Sequence, residues 1–180
     1  MANILGKKVP GWAVTAEATA GSVANMHMIR DGKAQMALTQ CDTAYDAIKG
    51  LDKFKDKPVE SRTLAVVYPN LVHFVTMEGT GINKLSDIKG KRISTSAPVS
   101  GSEVMALRII DELGLKLSDI KRERLSPAES TNAMKDGKLD GYFFNGGPPV
   151  AAITDLAATQ GVKIKLISTA DQVPALNKKY

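Results

Sequence analysis

The chain has 180 residues, 43% of them hydrophobic and 24% charged, which excludes a disordered or fibrous protein and suits one domain or two small lobes. Its 24 Lys and Arg against 19 Asp and Glu give a formal net charge of +5, which permits an acidic partner without requiring one. The basic residues are dispersed among acids and aromatics are only 5%, so the composition disfavours nucleic-acid binding.

Membrane, metal and redox signals are weak. The longest apolar stretch, 64–75, is interrupted by Pro69 and is too short to cross a bilayer. The N-terminus lacks the basic-then-apolar order of a secretory signal, which indicates a cytoplasmic protein or a mature or trimmed chain. The single Cys41 cannot form an intrachain disulfide, and the two histidines have no metal-ligand spacing, so we expect no metal and no cofactor.

Strands and helices are predicted to alternate in the first part of the chain. We expect strands at 14–18, 35–39 and 62–68 and helices at 23–29 and 44–49.

The same alternation continues, which predicts an α/β fold with mainly parallel strands. Ser100 with Glu103, and Ser126 with Glu129, have the spacing of capping boxes, so a helix is expected after each serine. The tail after residue 168 is expected to be frayed. The remaining predicted strands are 71–77, 92–96, 122–125, 139–144 and 163–167, and a further helix is predicted at 150–159.

A short motif recurs. The triplet at 31–33, Asp-Gly-Lys, returns at 136–138, and the same offset of 105 (136 − 31) relates Gln40 to Asn145, each after a predicted strand. Chance or a common helix-to-strand turn explains the identity as well as a duplication does. If the motif reflects a duplication, it predicts two lobes of the same architecture. Each would have a polar loop at the carboxyl end of a strand, where ligands bind in open α/β sheets.

Polar helix starts and strand ends carry the candidate binding chemistry. Backbone amides at a helix start attract anions, and glycine permits close approach. One hydrogen bond to a charged group contributes about 1.5–3 kcal/mol, whereas micromolar affinity needs about 8 kcal/mol, so several donors must converge. Alternatively, Ser22 and Ser100 only cap helices. The candidate ligand-binding residues are Thr19, Gly21, Ser22, Gln40, Tyr45, Ser100, Gly101, Ser102 and Asn145.

Enzymatic readings have less support. Cys41 could be a nucleophile only if His27 or His73 approached it, and a small buried thiol is the simpler expectation. Asp42 and Asp46 are expected to be solvated or capping rather than a catalytic pair. We therefore expect no catalytic residues.

Four segments, 15–25, 40–46, 85–92 and 100–103, resemble the TAXI family of TRAP transporter extracytoplasmic solute receptors, and the similarity extends over nearly the whole chain. The resemblance implies a type II periplasmic-binding-protein fold, in which two lobes close over a small organic anion or amino acid, glutamate-like compounds and dicarboxylates among them. It implies an extracytoplasmic location and a TRAP membrane permease as partner. Its pocket would use Ser22, Gln40, Tyr45, Ser100, Ser102, Asn145 and Gly146.

The chain also departs from that family. Against the family pattern, we expect that the signal peptide is missing, that the chain opens inside what resembles the first helix, and that it ends at Tyr180 where family members continue. The resemblance therefore implies an incomplete first lobe at 1–70, a second lobe at 71–168, and a tail at 169–180 leading to a missing return segment. We expect this form to bind weakly, or to self-associate through its open sheet edge.

The leading hypothesis is a non-enzymatic solute receptor. The alternative is a cytoplasmic effector-binding domain of a transcriptional regulator, and a third class is an enzyme on the same scaffold, because fold does not fix function.

Overall fold

The computed structural model describes residues 2–180. Its helices are α1 (Ala2–Lys8), α2 (Ser22–Arg30), α3 (Cys41–Lys49), α4 (Gly101–Glu112), α5 (Pro127–Lys135), α6 (Ala151–Ala157) and α7 (Val173–Lys179). Its strands are β1 (Leu71–Met77), β2 (Arg92–Ser94), β3 (Lys121–Glu123), β4 (Gly141–Gly146) and β5 (Ile164–Ile167).

The strands form one sheet in the order β3-β2-β4-β1-β5. β2 runs parallel to β3 and β4, whereas β1 is antiparallel to both β4 and β5. Four strands therefore point the same way and β1 opposes them. The carboxyl ends of β2 and β4 lie at one edge, so the loop before α4 and the residues after β4 meet there.

Helices cover both faces of this sheet. On one face, Phe74 of β1 packs with Ile109 and Ile110 of α4 in a fully buried cluster. On the other, Tyr142 of β4 packs with residues of α5 and α6, among them Leu156. The sheet therefore forms the middle layer of three, as burial of apolar side chains on both faces requires.

A smaller apolar cluster attaches the N-terminal helices to α4. Val23 and Met26 of α2 are buried together with Phe54, as the helical spacing predicts. Val104 joins them from the outer side of α4. α4 is thus buried on two sides, against the sheet and against α2, and it holds the N-terminal region in place.

Three predicted strands are wrong. The segments 14–18, 35–39 and 62–68 form no strand, and no strand occurs anywhere in residues 2–70. Leu64 and Val66 are 80% and 91% exposed. Alternating apolar residues become a strand only where a neighbouring strand pairs with their backbone, and these segments have none within the described chain.

The C-terminal tail is not frayed, contrary to the prediction. It forms α7, whose Leu176 packs against the core cluster under α4. The ring of Tyr180 lies 4.5 Å from the guanidinium carbon of Arg108 on α4. Pro174 in the first turn of α7 was the available signal, because proline is favoured at helix starts.

Candidate ligand-binding site

The starts of α2 and α4 face each other. The backbone N–H of Ala24 on α2 donates to the carbonyl of Val99, just before α4, at 3.0 Å. Gly21 has φ +131°, and a Cβ there would lie 3.2 Å from the Cβ of Ser100. Only glycine adopts this backbone conformation without strain, so Gly21 allows the two helix starts to approach.

Two amide side chains join these helix starts. The backbone N–H of Gln40 donates to the hydroxyl of Ser22 at 3.1 Å, and the backbone N–H of Asn145 donates to the hydroxyl of Ser102 at 3.0 Å. Asn145 Nδ2 then donates to Gln40 Oε1 at 3.2 Å. Gln40 and Asn145, which are 105 residues apart, therefore form a hydrogen bond with each other. The backbone N–H of each also donates to a serine hydroxyl at a helix start.

The cluster is buried and electrically neutral. Ser22, Ser102 and Asn145 are at most 8% exposed. Asn145 Oδ1 is buried and has no hydrogen-bond partner within residues 2–180. A buried acceptor left without a partner costs about 1–3 kcal/mol, so a ligand that donates to this oxygen gains stability.

The first turn of α4 supplies backbone donors. Ser100 Oγ accepts from the backbone N–H of Glu103 at 3.1 Å and donates to the carbonyl of Ala97, so Ser100 does cap this helix. The amides of Gly101 and Ser102 have no intrahelical acceptor, because an α-helix leaves its first amides unbonded. These two N–H groups lie at the positive end of the helix dipole, which favours an anion.

A charged network fixes the loop before α4. The buried carboxylate of Glu103 accepts from the backbone N–H of Val99 at 3.1 Å and from Arg122 and Arg124, each at 2.6 Å. Val99 has φ +53°, which is unfavourable for a β-branched residue. The carboxylate therefore anchors a strained loop instead of completing the expected capping box, and the three charges sum to +1 beside the helix start.

The other candidate residues lie at the margin of this cluster. Thr19 is exposed, and its hydroxyl accepts from the backbone N–H of Gly21 at 3.2 Å. Tyr45 is 52% exposed on α3. Gly146 ends β4, and its carbonyl oxygen lies 3.3 Å from His73 Nε2.

The NMT1-like family matches this chain over residues 1–180, its full length. The chain belongs to the NMT1-like family.

Solved structures with similar folds are solute-binding proteins. The periplasmic aliphatic sulphonate binding protein of Escherichia coli has a TM-score of 0.55 at 19% identity over 92% of this NMT1-like chain and 53% of its own. The ligand-binding component of an ABC-type import system from Staphylococcus aureus, solved with zinc bound, has a TM-score of 0.57 at 17% identity. The match covers 96% of this chain and 55% of the Staphylococcus aureus chain. An ancestral arginine-binding protein bound to glutamine has a TM-score of 0.54 at 16% identity, and the match covers 98% of this chain and 76% of the ancestral protein.

These matches establish the fold expected from the sequence. The NMT1-like chain has the α/β architecture of type II periplasmic binding proteins, and the similar structures are solute-binding proteins. The chain spans about half the length of the Escherichia coli protein. None of the helices within residues 2–180 is long and apolar enough to cross a membrane.

An ion-pair cluster that the sequence analysis missed links α3 to α4 of the NMT1-like chain. Arg108 of α4, 8% exposed at its side chain, donates to Asp46 and, at 3.3 Å, to Asp42. Burial raises the pKa of Asp42, an effect partly offset by a backbone hydrogen bond and by Arg108. Asp46 is therefore buried in an ion pair, contrary to expectation, whereas Asp42, in the first turn of α3, keeps 22% of its side chain exposed. Their i,i+4 spacing on one helix face was the signal for a shared cation.

Cys41 is exposed, which corrects the expectation of a buried thiol. It is the first residue of α3, and this helix buries Thr43, Asp46 and Ala47 instead. The ring of His27 packs edge-on against Phe54, with centroids 5.1 Å apart. Within residues 2–180, no group of three or more His, Cys, Asp or Glu side chains is arranged to hold a metal ion.

Two open depressions, of about 500 and 270 Å³, lie along α6 of the NMT1-like chain. Pro149 and Thr154 line both, and neither is lined by any candidate ligand-binding residue. Hydrogen bonds instead join Ser22 to Gln40, Gln40 to Asn145, and Asn145 to Ser102 directly.

Proposed function

We propose that this chain carries the ligand-contacting helix starts of an extracytoplasmic solute receptor for a small carboxylate, either an amino acid or a dicarboxylate. The observation that supports this most is Asn145, a buried amide that bridges the two halves of the cluster and keeps one acceptor without a partner within residues 2–180. The Asn145 side-chain amide therefore suits a ligand that contacts both halves of the cluster when it binds.

The α4 start and the Glu103 network favour an anion. The amides of Gly101 and Ser102 point out of the α4 start, and the Glu103 network leaves one excess positive charge nearby. No carboxylate of the network is left uncompensated, because two arginines hold Glu103. A ligand carboxylate at the α4 start therefore meets donors beside a Glu103 whose charge is already compensated.

Capture would work by closure of two lobes. The first lobe, at 1–70, contributes Ser22, with Gln40 beside it, and the second, at 71–168, contributes Gly101, Ser102 and Asn145. Ligand contacts with both sets stabilise the closed form over the open one. The chain performs no chemistry on its ligand in this proposal.

We further propose a TRAP-type permease as the membrane partner, on the strength of the sequence segments 15–25 and 40–46. The ABC-type assignment of several similar structures is the competing possibility for this finer point. Co-purification of the full-length receptor with each class of permease distinguishes them.

The test is an NMR titration of the ¹⁵N-labelled chain with L-glutamate and with succinate, up to about 10 mM so that affinities near the millimolar range are visible. We expect shifts centred on the amides of Gly101 and Ser102 and on the Asn145 side chain. Asn145→Ala should abolish them, whereas the matched control Asn177→Ala, an exposed asparagine on α7, should not. Shifts confined to other surfaces, or unchanged in Asn145→Ala, contradict the proposal.

A further inference from the structure

The side-chain carbonyl of Gln40 lies against the first residue of α4. A Cβ added at Gly101 would be 2.7 Å from Gln40 Oε1 and 2.8 Å from the hydroxyl of Ser22. The same Oε1 accepts the hydrogen bond from Asn145 Nδ2 at 3.2 Å. An acceptor oxygen of the protein itself therefore sits at the helix start to which we assign the ligand carboxylate.

An amide oxygen and a carboxylate oxygen use the same donors. Both are acceptors of N–H groups, and the carboxylate forms the stronger bonds because it is charged. Asn145 Nδ2 has two protons, and Gln40 Oε1 accepts one of them. A ligand oxygen that enters at the α4 start beside Gly101 competes with Gln40 Oε1 for that proton and for the same space.

The backbone around Gln40 allows its side chain to leave. Gln40 precedes α3, and its backbone N–H is held by the Ser22 hydroxyl independently of the side chain. The residue is only partly buried, on the edge of the cluster. Rotation of the side chain towards solvent therefore breaks one neutral hydrogen bond and leaves the helix starts in place.

We propose that Gln40 is an internal competitor that occupies the ligand's oxygen position in the empty protein and is displaced on binding. The inference rests on the proposed function and assigns Gln40 a role opposite to that of a ligand-orienting residue. It also explains which ligands the site prefers. Gln40 leaves Asn145 Oδ1 without a donor. A ligand that carries a donor beside its acceptor satisfies both ends of the Asn145 amide and so outcompetes Gln40.

The test compares L-glutamate binding to the wild type, Gln40→Ala and the control Gln35→Ala, which changes an exposed glutamine in the loop after α2. If Gln40 competes, Gln40→Ala binds about threefold to tenfold more tightly, the size expected when one neutral hydrogen bond no longer has to be broken. Gln35→Ala should match the wild type. Gln40→Met, which keeps the length and removes the acceptor, should also bind more tightly and covers the case in which Gln40→Ala is poorly folded.

Weaker or unchanged binding by both Gln40 variants overturns the inference and leaves the proposed function standing. No binding of L-glutamate or succinate by any variant, the wild type included, overturns the proposed function and the inference with it. In the supporting case, the side-chain NH₂ resonances of Gln40 in the wild type shift towards their solvent-exposed values as L-glutamate is added.

Discussion

The guanidinium of Arg108 on α4 is bound by the carboxylate of Asp46 on α3, and both side chains are nearly buried. Asp42, one helical turn earlier, accepts a second hydrogen bond from the same guanidinium. The pair joins the helix that follows Gln40 to the helix that begins at Gly101. It therefore links the two halves of the candidate site in the described arrangement.

Replacing Arg108 should destabilise the protein strongly. Arg108→Met leaves two acidic groups in the interface without their cation, and removal of one partner of a buried ion pair typically costs about 3–5 kcal/mol. Urea unfolding followed by circular dichroism measures this loss. Adding Asp46→Asn to Arg108→Met should recover part of it. The control Lys135→Met, at a pair with the exposed Asp155, should unfold near the wild-type midpoint, and an equal loss in both variants contradicts the role of burial.

Asp140 should contribute to stability in a pH-dependent way. Its hydrogen bonds from the Arg92 side chain are the main cause that lowers the pKa of Asp140 below the ordinary 3.8. The contribution is therefore present above pH 3.8 and is lost as the pH falls through the lower folded-state pKa. Asp140→Asn should unfold at lower urea than the wild type at neutral pH, and the two should converge in acid.

The control for this measurement is Asp171→Asn, which neutralises an exposed aspartate near the C-terminus. Its midpoint should follow the wild type at every pH. If the urea midpoints of wild type and Asp140→Asn differ by the same amount from neutral pH into acid, the charge of Asp140 does not account for the effect.

Gly21→Ala should disrupt the approach of α2 to α4. At φ +131° an alanine is strained, and its Cβ would lie 3.3 Å from the Cα of Ser100, a backbone atom that cannot rotate away. Together these effects should cost about 1–3 kcal/mol. Thermal unfolding measures the loss, and Gly11→Ala, also at positive φ but with nothing within 4 Å, separates backbone strain from the contact. If both variants lose the same stability, the contact with Ser100 contributes nothing.

Leu176→Ala should loosen the C-terminal helix. Leu176 is partly buried against the core under α4, so its truncation should cost about 1–2 kcal/mol, less than for a fully buried leucine. Val173→Ala on the same helix removes an exposed side chain and should have little effect. Limited proteolysis at the C-terminus should accelerate only in Leu176→Ala. Equal cleavage of both variants means that α7 does not depend on this contact.

Local sequence rules worked where a segment's partners follow from its own pattern. Ser126 and Glu129 form the expected capping box with Pro127 at the first helical position, and β1 spans the predicted 71–77. The rules failed at 62–68, where the alternation is as clear but no neighbouring strand exists in the described chain. A segment becomes a strand only when a neighbouring strand pairs with its backbone, and the sequence of one segment does not show whether such a neighbour exists.

The candidate site was predicted by residue type better than by geometry. The offset between Gln40 and Asn145 singled out two residues that form a hydrogen bond, and the turns at Gly32 and Gly137 have φ of +68° and +67°. The strand expected before Gln40 is absent. Arg108 escaped notice because its acidic partners lie 62 and 66 residues away in sequence, and no local pattern encodes such a pairing.

The antiparallel β1 has a consequence for how the molecule reaches its native state. This strand is the first of the sheet to leave the ribosome, yet both of its neighbours, β4 and β5, are synthesised last. Its backbone groups must wait, solvated, until most of the polypeptide exists, and closure of such distant pairs is slow. Completion of the sheet therefore depends on these late pairings of β1 with β4 and β5.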